Sequence, residues 1–313
     1  MIKSFVEKNY KDFTLTKASA DASFRQYYRL TKGLQSYILM DASLEKESLT
    51  PFLDRTQRLS NAGVNVPAIY DKDLTNGYLV IEDFGSVDLL QKLTQNNFQH
   101  LYKKAIDEIL KIQKADTTGL PLYDKDFLHF EMDLMQEWYL EKKLAKCLTE
   151  KQKELLNESL ERISNVVLQQ PQDIFVHRDY HSRNIMIKAD ESLGIIDYQD
   201  AMNGAITYDL VSLLKDCYIS FERENILKLV LYFRNKVAPQ VSDAEFIKWF
   251  DFMGMQRHIK VLGIFSRLHL RDGKDSYLKD IPLTLHYLLD TAQRYDETKE
   301  LATLLKKLTS SHK

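Results

Sequence analysis

Cysteine is nearly missing from this chain of 313 residues: it has two, Cys147 and Cys217. Two thiols with no metal-ligand spacing make neither a disulfide framework nor a zinc site, and they are expected as reduced thiols in a core. A surplus of charge is missing too. Lys and Arg number 43 against 45 Asp and Glu, a formal net charge of -2 that leaves no basic footprint for nucleic acid. No apolar stretch is long enough to span a bilayer. The opening residues Met1-Ile-Lys-Ser-Phe-Val-Glu-Lys lack the apolar run of a signal peptide. The expectation is a cytoplasmic protein with no nucleic-acid, membrane or obligate protein partner. Internal repeats and low-complexity linkers are also absent. What is present is 44% hydrophobic residues, enough to bury a large core in two domains.

The hydrophobic period changes along the chain. Ile2 to Tyr10 reads as a short amphipathic helix. Period two then predicts strands Phe13–Lys17, Arg25–Thr31 and Gln35–Asp41, with a turn at Lys32-Gly33. Thr50, as N-cap, and Pro51 open a helix to Leu59. Strands Val64–Tyr70 and Tyr78–Glu82 flank the turn Asp73-Leu-Thr-Asn76-Gly77. Helical patterns follow at Ser86–Leu93, along Phe98 to Ile112, at Phe127–Leu144 and at Lys151–Leu168. Ser242-Asp-Ala-Glu245 opens a much longer one, and two short helices close the chain.

Between these helices lies the stretch that carries chemistry. Ile174 to Val176 is a short apolar run that delivers His177-Arg178-Asp179 into a loop. Asn184 follows Asp179 by five positions, Ile185-Met-Ile187 leaves the loop as a strand, and Gly194-Ile-Ile196 returns with Asp197 at its end. Singly, such residues are turn formers. Together, in this order, they are what phosphoryl transfer needs. Asn184 and Asp197 offer oxygen ligands to a nucleotide-bound Mg²⁺, and Asp179 can aim an acceptor hydroxyl and take its proton.

The spacing resembles the protein-kinase catalytic loop H-R-D-x-x-x-x-N with its later metal-binding aspartate. Because that aspartate stands in Asp197-Tyr-Gln, without a glycine, the resemblance is to the aminoglycoside phosphotransferase family. Longer stretches narrow it further. Asp21-Ala-Ser-Phe-Arg-Gln-Tyr-Tyr-Arg29, Ile38-Leu-Met-Asp-Ala42, Ile196-Asp-Tyr-Gln-Asp-Ala201, Thr207-Tyr-Asp-Leu-Val-Ser-Leu213 and Gln256-Arg-His-Ile-Lys-Val-Leu-Gly-Ile-Phe265 are similar to a bacterial group of anomeric cell-wall sugar kinases. That group phosphorylates N-acetylmuramate and N-acetylglucosamine at C1 in peptidoglycan recycling.

The resemblance implies an α+β, two-lobed protein-kinase-like fold. A small antiparallel-sheet lobe would run to residue 84 and a larger, mostly helical lobe from 85 to 313. It implies ATP and Mg²⁺ and a small-molecule sugar acceptor. Glu82, Asp83 and Phe84 would form the hinge at the adenine, and Ser23 in a glycine-free loop would contact phosphate. Asp179 would be catalytic, and Asn184 and Asp197 would hold the metal. His177, Arg178 and Asp209 would support the loop, while Thr207 or Asp209 caps the next helix. Kinases usually carry a lysine on the third strand, where this chain has Met40, so Arg25 or Arg29 is expected to supply the missing charge. Arg257, His258 and Lys260, in the long helix, suit the wall of a pocket for a polar or anionic ligand. With Arg183 and Asp200 they make up the expected substrate side. Two other readings stay open: a kinase of another hydroxyl compound (an aminoglycoside, choline or homoserine), and an inactive nucleotide-binding regulator.

Overall fold

The protein is described from a computed structural model covering residues 2–19 and 25–310. In chain order its elements are α1 (Ile2–Asn9), β1 (Thr14–Ser19), β2 (Gln26–Lys32), β3 (Gln35–Asp41), α2 (Leu49–Asn61), β4 (Ile69–Asp73), β5 (Tyr78–Glu82) and α3 (Leu89–Lys92). Next come α4 (Phe98–Ile112), α5 (Lys125–Leu134), α6 (Glu150–Leu168), β6 (Ile174–Val176), β7 (Ile185–Ile187), β8 (Leu193–Ile195) and β9 (Met202–Gly204). The chain ends with α7 (Tyr208–Leu214), α8 (Arg223–Val237), α9 (Asp243–Leu270), α10 (Ile281–Ala292) and α11 (Lys299–Thr309). Two compact units result. One gathers residues 1–92 with 183–201, the other 93–182 with 202–313. A boundary at residue 84 treats the lobes as continuous in sequence, whereas the contacts group the strands around Asn184 and Asp197 with the first unit.

The first unit is built on an antiparallel sheet ordered β1-β2-β3-β5-β4. Gly33, in the left-handed region at φ 58°, closes the tight turn between β2 and β3. Leu30, Leu39, Tyr78 and Val80 form the core of one sheet face, and α1 lays Phe5 and Val6 onto it. The strand expected from Val64 begins only at Ile69, because Pro67 has no N–H to give a ladder. Thr50 is not the N-cap of α2. The helix starts at Leu49 directly from a 3-10 turn, Lys46–Ser48, with Pro51 still in its first turn, where N–H groups are free anyway. The hairpin β7–β8 belongs to this unit and bonds to it through Ile195 N to Asn65 O (2.8 Å) and Ile187 N to Val87 O (2.9 Å).

The second unit is organised around α9, 28 residues long, with an unbroken buried run from Trp249 to Gly263. A helix apolar on one face only cannot sit there, and this one carries bulky apolar side chains all round. Gly263 lets it touch α5: a Cβ at that position would lie 2.4 Å from the Leu134 carbonyl carbon. Just after Leu134 the helical pattern expected as far as Leu144 loosens into a π-helix, Met135–Lys143. Its side chains pair five apart, Gln136 with Glu141 (2.9 Å) and Glu137 with Lys142 (2.6 Å), as the wider turn demands. β9, too short to show in the sequence pattern, pairs with β6 and anchors the strand that leads to the catalytic loop.

Asp251 lies in the middle of α9 with no exposure, yet it is ionised. Burial opposes this, but Lys215 (2.9 Å), Arg223 (2.6 Å) and the Tyr295 hydroxyl (2.7 Å) outweigh it and hold its carboxyl well below the usual range. Asp251→Ala would leave Lys215 buried without its counter-charge, so unfolding free energy should fall by about 3–5 kcal/mol, read from urea denaturation. Gly263→Ala should cost about 1–3 kcal/mol by the same measurement, since the added methyl meets backbone rather than a side chain that can turn away.

Candidate active site

Each unit holds part of the expected site. In the first unit the chain leaving β5 carries Glu82, Asp83 and Phe84. Asp83 is fully occupied: Arg29 binds it through two nitrogens (2.6 and 3.0 Å), Ser36 donates its hydroxyl, and the Gly85 amide adds a bond at 2.9 Å. Arg29 also donates to the Gly85 carbonyl at 3.0 Å. Arg29 and Asp83 thus brace this connection from β2. Glu82 accepts from Lys188 at 2.8 Å, and the Lys188 ammonium lies 4.6 Å from the centre of the buried Phe84 ring.

Met40 is wholly buried opposite Tyr27 on β2, so the third strand offers no cation. Arg25, just before β2, does: it is 7% exposed and its Nη2 stands 3.9 Å from Asp197 Oδ1. Of the two arginines the sequence left open, Arg25 is the one beside the expected metal ligand. Ser23 lies outside the described residues.

Asp197 has a left-handed backbone, φ 66°, at the end of β8, and its side chain is half-buried. The Asn184 amide donates to Asp197 Oδ2 at 3.1 Å, and Gln199 donates to Asp197 Oδ1 at 3.0 Å. The next residue, Tyr198, is buried, stacked on Phe52 and bonded to Thr56 (2.8 Å), which fixes the turn. One carboxylate and one amide, both hard donors, fit a small divalent cation that takes its other ligands from phosphate and water. The amide would have to present its oxygen, a half-turn of the Asn184 side chain. Asp200 is exposed and accepts from Gln199 (3.2 Å), and Arg183 is half-buried in the turn Ser182–Asn184.

In the second unit the loop after β6 is tied down residue by residue. Asp209, in the first turn of α7, accepts from the amides of His177 (2.8 Å) and Arg178 (3.0 Å). Burial pushes the Asp209 carboxyl up to about 7, against the pull of these two amides and of Arg257. Thr207 occupies the N-cap of α7 without capping it, its hydroxyl going to Gln170 at 2.6 Å. Asp216, which no sequence pattern marked, accepts both the amide (2.9 Å) and the hydroxyl of Ser182. Arg178 sits in the left-handed region, φ 76°. Its guanidinium meets Glu131 at 2.5 Å, and its carbonyl accepts from Arg257 at 2.9 Å.

The polar residues of α9 face inward. His258 is fully enclosed, stacked on Tyr287 and bonded to the Lys215 carbonyl at 3.1 Å. Burial, helped by Lys215 and Arg257, pushes its pKa down to about 3, so it is neutral. Lys260 reaches Glu131 (2.8 Å) and the Tyr208 hydroxyl (3.0 Å), and Arg257 reaches Tyr208 (3.4 Å) as well as Arg178. Their common target is the Tyr208 hydroxyl at the start of α7. The side chain of Asp179 is half-buried. Burial alone would raise its pKa, but Lys260, Arg257, His181 and Arg178 outweigh that and bring it down to about 2.

Comparison with known proteins settles the family. A family model described as the phosphotransferase enzyme family (APH) matches residues 14–232. The chain belongs to that family. A relative from Neisseria meningitidis serogroup B, named N-acetylmuramate/N-acetylglucosamine kinase, is 40% identical over 98% of this chain and 95% of its own. One of the same name from Pseudomonas aeruginosa is 38% identical over 94% and 88%. Among solved structures, ADP-bound aminoglycoside phosphotransferase APH(2'')-Ib superposes with a TM-score of 0.64 at 18% identity, covering 93% of this chain and 98% of that one. The choline kinase LicA from Streptococcus pneumoniae gives 0.63 at 14%, over 92% and 98%. These two bear out the kinase-like α+β fold. As a member of a phosphotransferase family the chain is an enzyme, and no helix among the described residues is long and apolar enough to cross a membrane.

The lowered pKa of Asp179 has a testable sign. A depressed carboxyl contributes stability that is fully present above its unfolded value of about 3.9 and lost as pH falls through about 2. The Asp179 carboxyl carbon should therefore show no titration step by NMR between about pH 4 and 8. A step inside that window would contradict the electrostatic assignment.

Proposed function

We propose that this enzyme transfers the terminal phosphoryl group of ATP to the anomeric C1 hydroxyl of N-acetylmuramate or N-acetylglucosamine, in the cytoplasmic recycling of peptidoglycan sugars. The observation that carries this reading is the 40% identity to a kinase named for those sugars, over 98% of the chain. The three residues that phosphoryl transfer needs, Asp179, Asn184 and Asp197, are all present. A reading as an inactive regulator has Met40 and the glycine-free loop in its favour; Arg25 answers the first, and the loop lies outside the described residues. The cations that surround Asp179 disfavour a polycationic acceptor such as an aminoglycoside.

In this reading Asp197 and Asn184 hold Mg²⁺, which when bound offsets the phosphate charge. Arg25 adds a fixed positive charge beside Asp197, as a planar fork suited to phosphate oxygens. The backbone of residues 82–84 offers an amide and a carbonyl to adenine, while the Arg29–Asp83 pair keeps that segment in shape. Asp179 orients the C1 hydroxyl. The sugar oxygen bonds to the terminal phosphorus as the bond to the ADP oxygen breaks, and the hydroxyl proton passes to Asp179. A carboxylate with so low a pKa is a weak base, so its effect is mainly alignment and late acceptance of the proton. The hemiacetal hydroxyl at C1 is the most acidic of the sugar, which makes it the easiest for such a base to use. Arg257 and Lys260 act on Asp179 by their charge, while His258 is enclosed. Arg183 and Asp200 are assigned to the substrate side with them, and a cation among Arg257, His258 and Lys260 would receive the lactyl carboxylate of muramate.

The position of transfer is open to direct test. Methyl N-acetylglucosaminide, with C1 blocked and every other hydroxyl free, should not be phosphorylated. The product from the free sugar should lose its reducing end, with its phosphorus signal coupled to the anomeric proton. A reducing product with phosphate on C6 would sink the anomeric assignment. Asp179→Asn should lower kcat by about 10²–10⁴-fold with ATP binding kept. Arg25→Ala should raise the KM for ATP, and Arg29→Ala should act on stability first. Equal, unchanged ATP kinetics in both would remove Arg25 from the site.

A further inference from the structure

We propose that Glu131 is a positioning residue for the transfer: from α5 its carboxylate holds the Arg178 side chain, and through it the left-handed turn that aims Asp179. No sequence motif marks Glu131, which lies in an ordinary-looking amphipathic helix. It is only 4% exposed, and a carboxylate so placed is costly unless fully partnered. It is fully partnered. One oxygen takes both Arg178 (2.5 Å) and Lys260 (2.8 Å), and the other takes the Tyr123 hydroxyl, which itself accepts from Gln256 at 3.0 Å. Burial works to neutralise it, but Lys260 and Arg178 prevail and keep it charged.

Stability alone does not account for this choice, since apolar residues of similar volume fill such a space at least as well as a buried ion pair. What the cluster adds is a fixed Arg178. The amide of Arg178 goes to Asp209 and its carbonyl accepts from Arg257 and from Ser212 (3.4 Å). Its guanidinium goes to Glu131 and lies 5.3 Å from the centre of the Phe127 ring. A residue with a Cβ holds φ 76° only when its surroundings over-determine it, and here they do at both ends of the residue. In kinases switched by phosphorylation, a phosphate on arginine orders the active segment. A carboxylate built into α5 makes that ordering permanent, so the loop carrying Asp179 needs no modification to be in place.

This inference rests on reading Asp179 as the residue that meets the acceptor, and not on which acceptor it is. The test is Glu131→Gln, which keeps the shape and removes the charge. We expect kcat to fall about 10–100-fold, with the KM values for ATP and acceptor within about twofold of wild type. Amide exchange in residues 177–182 should rise, with α11 unchanged. Arg178→Met, cutting the same link from its other end, should show both effects, and the double variant should be no slower than the slower single. Wild-type kcat in Glu131→Gln, additive losses in the double variant, or exchange rising equally in α11 would each overturn the proposal. If Glu131→Gln does not fold, Arg178→Met gives the same two readouts alone. Should wild type leave both amino sugars untouched, the functional reading fails. Exchange in residues 177–182, which needs no acceptor, still decides the role of Glu131.

Discussion

Arg178 sits in a backbone conformation that costs about 1–3 kcal/mol for anything but glycine, and the loop carrying Asp179 depends on its staying there. The polypeptide meets that cost with carboxylates, each from a different place. Asp209 of α7 takes two successive amides, Asp216 beyond α7 takes Ser182, and Glu131 of α5 takes the arginine itself. Buried negative charge of this density would be unstable by itself. Arg257 and Lys260 of α9 balance it, so the long helix serves as a counter-charge rod as much as a core element.

The same economy explains why Asp179 can be both half-buried and ionised. Its neighbours Arg178, His181, Arg257 and Lys260 outweigh its desolvation. A carboxylate held so low is a weak proton acceptor. The first unit solves a parallel problem with fewer parts. Where the third strand has Met40, an arginine two residues before Tyr27 stands beside Asp197 instead.

The residues proposed to react stand out in the sequence because phosphoryl transfer fixes their type and spacing, and strands β6 and β7, each only three residues long, were marked by apolar runs between polar turns. What supports them was not. Glu131 and Asp216 belong to helices or turns whose patterns are ordinary, and their partners lie 47 and 34 positions away. Arg257, His258 and Lys260 have internal partners that the sequence could not show: polar residues in an apolar helix read as a ligand wall, and in the fold they are buried and bonded within the protein. Arg29 was ambiguous for the same reason, since a strand arginine reads alike whether it meets phosphate or Asp83. The capping error at α2 arose because a helix continued straight from a 3-10 turn has no need of Thr50.

The inward commitment of α9 also bears on how acceptor range can change over evolution or by design. A helix whose polar side chains already serve the loop has little latitude: altering Arg257 or Lys260 disturbs the apparatus that every acceptor shares. Exposed positions outside this wiring are freer to vary, because a change there does not unseat the loop. A mutational library aimed at new acceptors is better spent there than on the most conspicuous polar stretch of the sequence.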